Sequence, residues 1–178
     1  LGVGTSLIVL NVANPDLPVV VGRTNTLPDS IYGVAVSGSY AYVADYYGGM
    51  RVVNIANPAE PVEVGDIYTI GAANGVAVAG SYAYVADSAS GLRVIDVSNP
   101  QRPQEVGSYD TPGEAWDVTV VGTYAYVPDR AGGMRVINVS DPQNPKEVGH
   151  FDAPSNAYGV EVAGNYAYVV ASYSGLRV

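Results

Sequence analysis

Cysteine is absent from this chain of 178 residues, and lysine and histidine each occur only once. The absence of cysteine excludes disulfides, zinc–thiolate sites and cysteine nucleophiles. Lys146 and seven arginines face 17 acidic residues, so the formal net charge is −9. We expect no nucleic-acid partner, because neutralising phosphates requires clustered Lys and Arg. Anionic membrane surfaces are disfavoured for the same reason.

Long apolar runs are also missing. No stretch approaches the roughly 20 apolar residues of a membrane helix, so we expect no membrane span in this segment. Hydrophobic residues make up 48% and charged residues 14% of the chain, which favours a packed core over disorder. The opening LGVGTSLIVLNVANP has neither an initiator Met nor the basic start of a signal peptide. We therefore expect a fragment, a processed product or the ordered part of a longer chain.

What the sequence does contain is a tandem repeat. The segments SLIVLNVANP, GMRVVNIANP, GLRVIDVSNP and GMRVINVSDP follow one another, and the sequence ends on GLRV. Their anchor residues, spaced by 43, 42, 42 and 42 positions, are Leu7, Met50, Leu92, Met134 and Leu176. A period held in this way through the whole chain is the signature of a repeat architecture.

Each repeat contains four short apolar runs bounded by Gly, Pro, Asn and Asp, which is the pattern of β-strands. In the repeat after Gly91, the third of these runs is predicted over Trp116–Val121. Tight links such as Gly122-Thr123 predict hairpins, and hence antiparallel strands. One such unit cannot bury both of its faces, so it must stack on its neighbours. The sequence therefore predicts an all-β fold, a β-propeller of four-stranded antiparallel blades built from about four repeats.

The repeat also predicts where the blades begin and end. Residues 1–29 are expected to supply the two outer strands of a first blade and residues 154–178 a partial last blade. The complete blades are predicted over 30–69, 70–111 and 112–153. If the ring closed within this chain, the strands at Leu7 and Leu176 would compete for one position. We therefore expect either further repeats outside the chain or completion by another chain, including self-association through the incomplete end blades.

The repeated motif resembles a known family, the LVIVD repeat. The resemblance is carried by LRVIDVSNP at 92–100 together with YAYVAD at 82–87, with variants at 7–15, 50–58 and 134–142. It implies a propeller in a secreted or cell-surface protein of bacteria or archaea. The first and last units depart from the motif, with Ile8 in place of Arg and Ala171 in place of Asp. We therefore expect these two units to be less typical blades.

Two charged positions recur in nearly every repeat. The first is an aspartate that follows the Tyr-x-Tyr strand, at Asp45, Asp87 and Asp129. Calcium binding is one interpretation, but each loop offers a single carboxylate, so we favour an aspartate that accepts backbone N–H groups. The second is an arginine between apolar residues, at Arg51, Arg93, Arg135 and Arg177. An anion-binding ring is possible, and structural pairing with the repeat aspartate is the favoured interpretation.

A third position varies from repeat to repeat, and its residues are Tyr32, Asn74, Trp116 and Tyr158. They precede the strand expected to be innermost, which places them near one mouth of the central channel. Acidic neighbours are Asp29, Glu114 and Asp117. Repeat proteins keep their framework constant and vary the binding face, so we predict a ligand site at Tyr32, Asn74, Trp116, Tyr158, Glu114 and Asp117. An aromatic and acidic rim suits a sugar or a cationic group, and ordinary channel packing is the alternative.

No catalytic set or cofactor is predicted. His150 is the only histidine, and no GxSxG motif supplies the serine of a catalytic triad. Glu114 and Asp117 lie three residues apart, which is weak evidence for an acid/base pair. We favour a non-enzymatic secreted or cell-surface scaffold that contacts proteins or surface glycans. One alternative is a carbohydrate hydrolase or lyase acting at the channel mouth. The other is a subunit of an extracellular fibre or assembly.

Overall fold

The computed structural model describes residues 2–173 and 175–177, and every regular element in them is a β-strand. Leu1 and Val178, the predicted outer limits of the first and last blades, lie outside the described residues. Three antiparallel sheets have four strands each, and two shorter sheets flank them. Within the described part of the chain there is no helix long and apolar enough to cross a membrane.

We call the three complete sheets blades A, B and C. Blade A contains β4 (Gly33–Ser37), β5 (Tyr40–Ala44), β6 (Met50–Asn54) and β7 (Val62–Ile67). Blade B contains β8 (Gly75–Ala79), β9 (Tyr82–Ala86), β10 (Leu92–Asp96) and β11 (Gln104–Tyr109). Blade C contains β12 (Thr119–Val121), β13 (Tyr124–Pro128), β14 (Met134–Asn138) and β15 (Lys146–Phe151).

The flanking sheets have three strands each. The N-terminal sheet contains β1 (Gly2–Val3), β2 (Ser6–Asn11) and β3 (Val19–Arg23). The C-terminal sheet contains β16 (Ala157–Ala163), β17 (Tyr166–Ala171) and β18 (Gly175–Arg177). The prediction of two strands for the N-terminal unit missed β1, because the two residues of this strand lack the apolar run of its counterparts.

The strands are antiparallel because tight hairpins join them. The first hairpin of blade B turns at Gly80 and that of blade C at Gly122, both with φ of +60°. This left-handed conformation suits glycine, which has no Cβ to clash with the backbone. Val, Ile and Tyr fill the strands on either side, as is typical of residues that pack on a pleated surface.

The sheets pack face to face around a centre formed by their first strands. β4 contacts β8, β8 contacts β12, and β12 contacts β16. The apolar core lies between neighbouring blades: Met50 and Val52 of blade A pack with Val76, Val85 and Ile95 of blade B. An equivalent cluster joins blades B and C. This arrangement confirms the prediction of an all-β propeller with four-stranded antiparallel blades.

The innermost strand of blade C is shorter than predicted. It begins at Thr119 and not at Trp116, because the carboxylate of Asp117 accepts the N–H of Val118 at 2.9 Å. The backbone N–H of Val160 in the C-terminal sheet also donates to this carboxylate. In blades A and B the equivalent residue is a glycine, and there the strand begins two residues earlier in the repeat.

The outermost strand of each complete blade carries a β-bulge and a glycine beside it. In blade B the pairing of β10 with β11 shifts register between Val94 and Ile95, next to Gly107. Gly107 lies against the loop before β15 of blade C, and a Cβ there would be 2.2 Å from the carbonyl oxygen of Pro142. Gly149 occupies the same repeat position in blade C, and a Cβ there would have no neighbour within 4 Å.

We predict that Gly107→Ala destabilises the chain by about 1–3 kcal/mol, because the methyl group forces blades B and C apart. Gly149→Ala is the matched control and should change the free energy of unfolding by less than about 0.5 kcal/mol. Urea unfolding of both variants measures the difference. Equal effects of the two substitutions would contradict the packing of the loop against Gly107.

Candidate functional site

The repeat aspartates lie at the corner between the second and third strands of each blade, and all three are fully buried. Asp129 accepts the hydroxyl of Thr111 at 2.5 Å and the backbone N–H of Gly113 at 2.7 Å. The corresponding donors to Asp87 are Thr69 and Gly71. Thr and Gly belong to the linker that enters the blade, so the carboxylate ties this linker to the corner.

Asp45 is held differently, because Leu27 stands where the other linkers have threonine. The backbone N–H of Asp29 donates to Asp45 at 3.2 Å. Burial raises the pKa of the repeat aspartates above its ordinary value, and their hydrogen bonds and neighbouring arginine oppose the rise. The result is a carboxylate that depends on its partners to stay charged.

The repeat arginines provide that charge partner. The distances from Nε to the aspartate are 3.3 Å for Arg51–Asp45, 3.8 Å for Arg93–Asp87 and 3.6 Å for Arg135–Asp129. Each guanidinium also approaches a glutamate of the outermost strand, at 3.5, 3.6 and 3.5 Å for Glu63, Glu105 and Glu147. At Arg177 the aspartate position is occupied by Ala171, so this pair cannot form.

The charged side chains of the corners are directed at one another, which disfavours calcium binding by the aspartates and anion binding by the arginines. The carboxylates face arginine, threonine and backbone N–H groups, and each guanidinium faces carboxylates. Among residues 2–173 and 175–177, no cluster of three or more acidic or histidine residues could hold a metal ion. The geometry is that of a structural corner repeated in each complete blade.

The varying position behaves differently, because its residues from separate blades meet. The ring centroids of Tyr32 and Trp116 are 6.3 Å apart and the rings lie edge to face. Trp116 and Tyr158 form a second edge-to-face pair at 5.5 Å. Asn74 lines the same cleft, which has a volume of about 300 Å³. The structure therefore brings together four residues that the chain separates by whole repeats, and ligand binding at them stays a prediction.

Glycine at three of four equivalent positions allows the innermost strands to approach one another closely. The next position along the chain is Gly33, Gly75, Asp117 and Gly159 in successive repeats. A Cβ on Gly75 would be 2.8 Å from the Cα of Asp117 and 2.9 Å from its Oδ1. The cleft thus has one carboxylate where its other walls have glycine, and Asp117 lines it.

Asn74 and Asp117 supply the amide and the carboxylate of the cleft. Asn74 is only 4% exposed and its amide nitrogen donates to the carbonyl of Ala115 at 3.1 Å. Its Oδ1 has no hydrogen-bond donor among the described residues. Burial raises the pKa of Asp117, against the opposing effect of the backbone N–H groups of Val118 and Val160.

The sequence prediction missed two residues of this rim. Tyr46 stacks on Tyr32 with centroids 4.9 Å apart, and the guanidinium of Arg130 lies 5.1 Å from the Trp116 ring and 5.6 Å from that of Tyr158. Both residues follow a repeat aspartate and have φ of 47° and 45°. Each forms a β-bridge with an alanine at the start of the next sheet, Tyr46 with Ala73 and Arg130 with Ala157. These bridges place both residues beside the rim. The residue type at this position varies between repeats although the preceding aspartate does not, and this variation could have indicated that the position belongs to the rim.

The two predicted acidic site residues do not share a cavity. Glu114 forms an ion pair with Arg130 and lines a separate depression beside Pro112 and Ala131. Asp117 lines the aromatic cleft. An acid/base pair needs both carboxyl groups at one bond, and this arrangement gives it no support.

The remaining predicted candidate, His150, lies away from the cleft. Its side chain is half exposed on the outermost strand of blade C, and its Nδ1 is 3.5 Å from Glu147. Among the described residues, the carboxylates of Glu147 and Asp152 contact His150, and neither forms a nucleophile–base pair with it. The fold and the cleft thus define a repeat protein of the β-propeller class with a variable aromatic rim.

Comparison with known proteins identifies the family of propellers to which the chain belongs. The model of the LVIVD repeat matches residues 31–69, 70–111, 112–153 and 154–178. The chain belongs to the LVIVD repeat family. No curated protein sequence matches it significantly.

Solved structures agree in fold. The computationally designed Ika4 protein superposes with a TM-score of 0.71 at 11% identity, over 86% of this chain and 94% of that one. The designed Ika8 protein gives a TM-score of 0.68 at 10% identity, over 85% of this chain and 46% of that one. The chain spans about half the length of Ika8. Identities this low carry the fold alone.

We predict that Arg135→Met destabilises the chain by about 3–5 kcal/mol at neutral pH, because Asp129 is left as a buried, unpaired charge. Arg177→Met is the matched control, since Ala171 offers no charge to lose, and should cost less than about 1 kcal/mol. Chemical unfolding measures both.

The effect of Arg135→Met should depend on pH. Without Arg135, the pKa of Asp129 in the folded state rises further above its unfolded value. Folding of the variant then loses stability as pH rises through that raised pKa, and its deficit relative to the parent chain shrinks as the medium becomes acidic. A deficit that stays constant between acidic and neutral pH would contradict the ion pair.

Proposed function

We propose that this protein is a non-enzymatic interaction scaffold, secreted or displayed at the cell surface of a prokaryote, whose contact site is the aromatic cleft. The observation that carries the proposal is the convergence of the varying residues Tyr32, Asn74, Trp116 and Tyr158 on one cavity. Repeats that keep the framework constant and vary one face are typical of binding proteins. The partners are other proteins or surface glycans.

The chemistry of the charged residues supports binding over catalysis. The repeat aspartates and arginines neutralise one another inside the blades. Glu114 is neutralised by Arg130 and is turned to a different cavity from Asp117. A glycosidase at the cleft would need two carboxyl groups across one glycosidic bond, so the hydrolase or lyase alternative is weaker.

The secreted or surface location rests on the resemblance to the LVIVD repeat. The acidic charge of −9 fits a soluble surface that repels its own kind, and it opposes contact with nucleic acid.

Self-association, and with it the fibre or assembly alternative, stays a prediction. The observation in its favour is the exposed apolar surface on both flanking sheets, carried by Val19 and Val20 at one end and Val170 and Leu176 at the other. Exposed apolar surface of this kind favours contact with another sheet. Sedimentation over a range of concentrations decides it, and a monomer at all of them would contradict it.

We predict that Trp116→Ala weakens partner binding at least tenfold, because a centrally placed tryptophan contributes about 2 kcal/mol or more to an interface. The measurement screens the labelled chain against an array of defined soluble glycans and short peptides and then titrates each hit. Tyr173→Ala is the matched control, since this aromatic residue is 99% exposed and lies outside the cleft.

Two outcomes would overturn the proposal. Equal binding by the parent chain and Trp116→Ala would remove the cleft as the contact site. Turnover of an arrayed glycan, abolished by Asp117→Asn, would make the protein an enzyme.

A further inference from the structure

The cleft combines aromatic rings with hydrogen-bond acceptors. Its walls are Tyr32, Trp116 and Tyr158, whose ring faces carry the negative side of a quadrupole. Among the described residues, the carboxylate of Asp117 lines the cleft without a cationic side chain paired to it. The ring faces and this carboxylate attract a positive charge and repel an anion.

The cation nearest to the aromatic rings is already neutralised. Arg130 lies over Trp116 and Tyr158 and forms its ion pair with Glu114. Among the described residues, no arginine, lysine or histidine forms an ion pair with Asp117, in contrast to the aspartates of the blade corners. Asp117 is thus a partly buried carboxylate in need of a counter-charge.

The carboxylate of Asp117 carries an energetic penalty that a cation would relieve. Burial raises the pKa of Asp117, which shows that its charged form is poorly solvated. A cationic ligand that donates hydrogen bonds to Asp117 relieves this penalty.

The glycine positions leave the room that such a ligand needs. Gly75 and Gly159 flank the carboxylate of Asp117, and a Cβ on Gly159 would still be 3.8 Å from Oδ2. Tyr32 is 51% exposed, so the wall formed by its ring is open to solvent on one side. The glycines therefore leave room for a ligand beside the carboxylate of Asp117.

We propose that the aromatic cleft binds a primary ammonium group, the side chain of a lysine of a partner protein. Its N–H donors meet the carboxylate of Asp117, and its charge lies against the rings of Trp116 and Tyr158. The chain's own charge of −9 raises the local concentration of such a partner. This inference rests on the proposed function and names the ligand chemistry of the same site.

Fluorescence of Trp116 provides the test, because it is the only tryptophan in the chain. The probe is Nα-acetyl-lysine-methylamide, and the matched control probe carries an acetyl group on Nε, which removes the charge and keeps the length. We expect a saturable change in emission with the first probe and at least about a tenfold weaker response with the second.

Variants of the chain test whether Asp117 supplies the negative charge that binds the ammonium probe. Asp117→Asn keeps the shape of the side chain and should weaken binding of the ammonium probe by about tenfold or more. Tyr173→Ala should leave it unchanged. If Asp117→Asn fails to fold, the comparison of the two probes on the unaltered chain still decides the matter.

Equal responses to both probes, or a response to methyl glucoside with none to the ammonium probe, would overturn the inference. The second of these outcomes would assign the cleft to carbohydrate and leave the interaction scaffold standing. Loss of the scaffold itself would be seen separately, as equal binding of arrayed partners by the parent chain and Trp116→Ala.

Discussion

The close approach of the innermost strands is the constraint on which the rest of this structure depends. A Cβ on Gly33 would be 3.0 Å from the carbonyl oxygen of Asn74, and one on Gly75 would meet the backbone of Asp117. Side chains at these positions would push the blades outward at the centre. Because glycine stands there, residues of blades A and C meet across the centre, although Tyr32 and Trp116 are two repeats apart.

The buried aspartates fix the angle at which each blade follows the last. Each carboxylate joins the corner of its own blade to the linker entering that blade, and its arginine extends the contact to the outermost strand. The residue after the aspartate then pairs with the start of the next blade. Removing one member of the pair leaves a buried charge without its partner, so each pair stabilises the corner of its own blade.

The fold was predictable because its period is short and nearly constant. The 42-residue spacing of Met50, Leu92 and Met134 and the Gly-Ser or Gly-Thr hairpins are local signals that tertiary packing does not override. The position of Tyr32, Asn74, Trp116 and Tyr158 followed from the same register. The separation of Glu114 from Asp117 did not, because it depends on the ion pair with Arg130.

Other features escaped prediction for related reasons. Tyr46 and Arg130 reach the rim only because the residue after the aspartate has a left-handed backbone, which a non-glycine residue seldom adopts. The late start of β12 follows from hydrogen bonds to the Asp117 side chain, one of which comes from another sheet. Strand propensity carries no information about such contacts. Asp117, the one departure from glycine at its position, is the clearest case of a local exception that changes the chemistry of the site.

The varying residues of non-adjacent blades meet in one cleft. The nuclear Overhauser effect between ring protons of Tyr32 and Trp116 tests this contact. The indole protons belong to the only tryptophan in the chain, and the Tyr32→Phe variant identifies the signals of Tyr32 among those of the 15 tyrosines. Because the ring centroids are 6.3 and 5.5 Å apart, we expect cross-peaks between Tyr32 and Trp116 as well as between Trp116 and Tyr158. Cross-peaks from Trp116 to Tyr158 alone would show neighbouring blades stacked without the curvature that closes the cleft, and would contradict it.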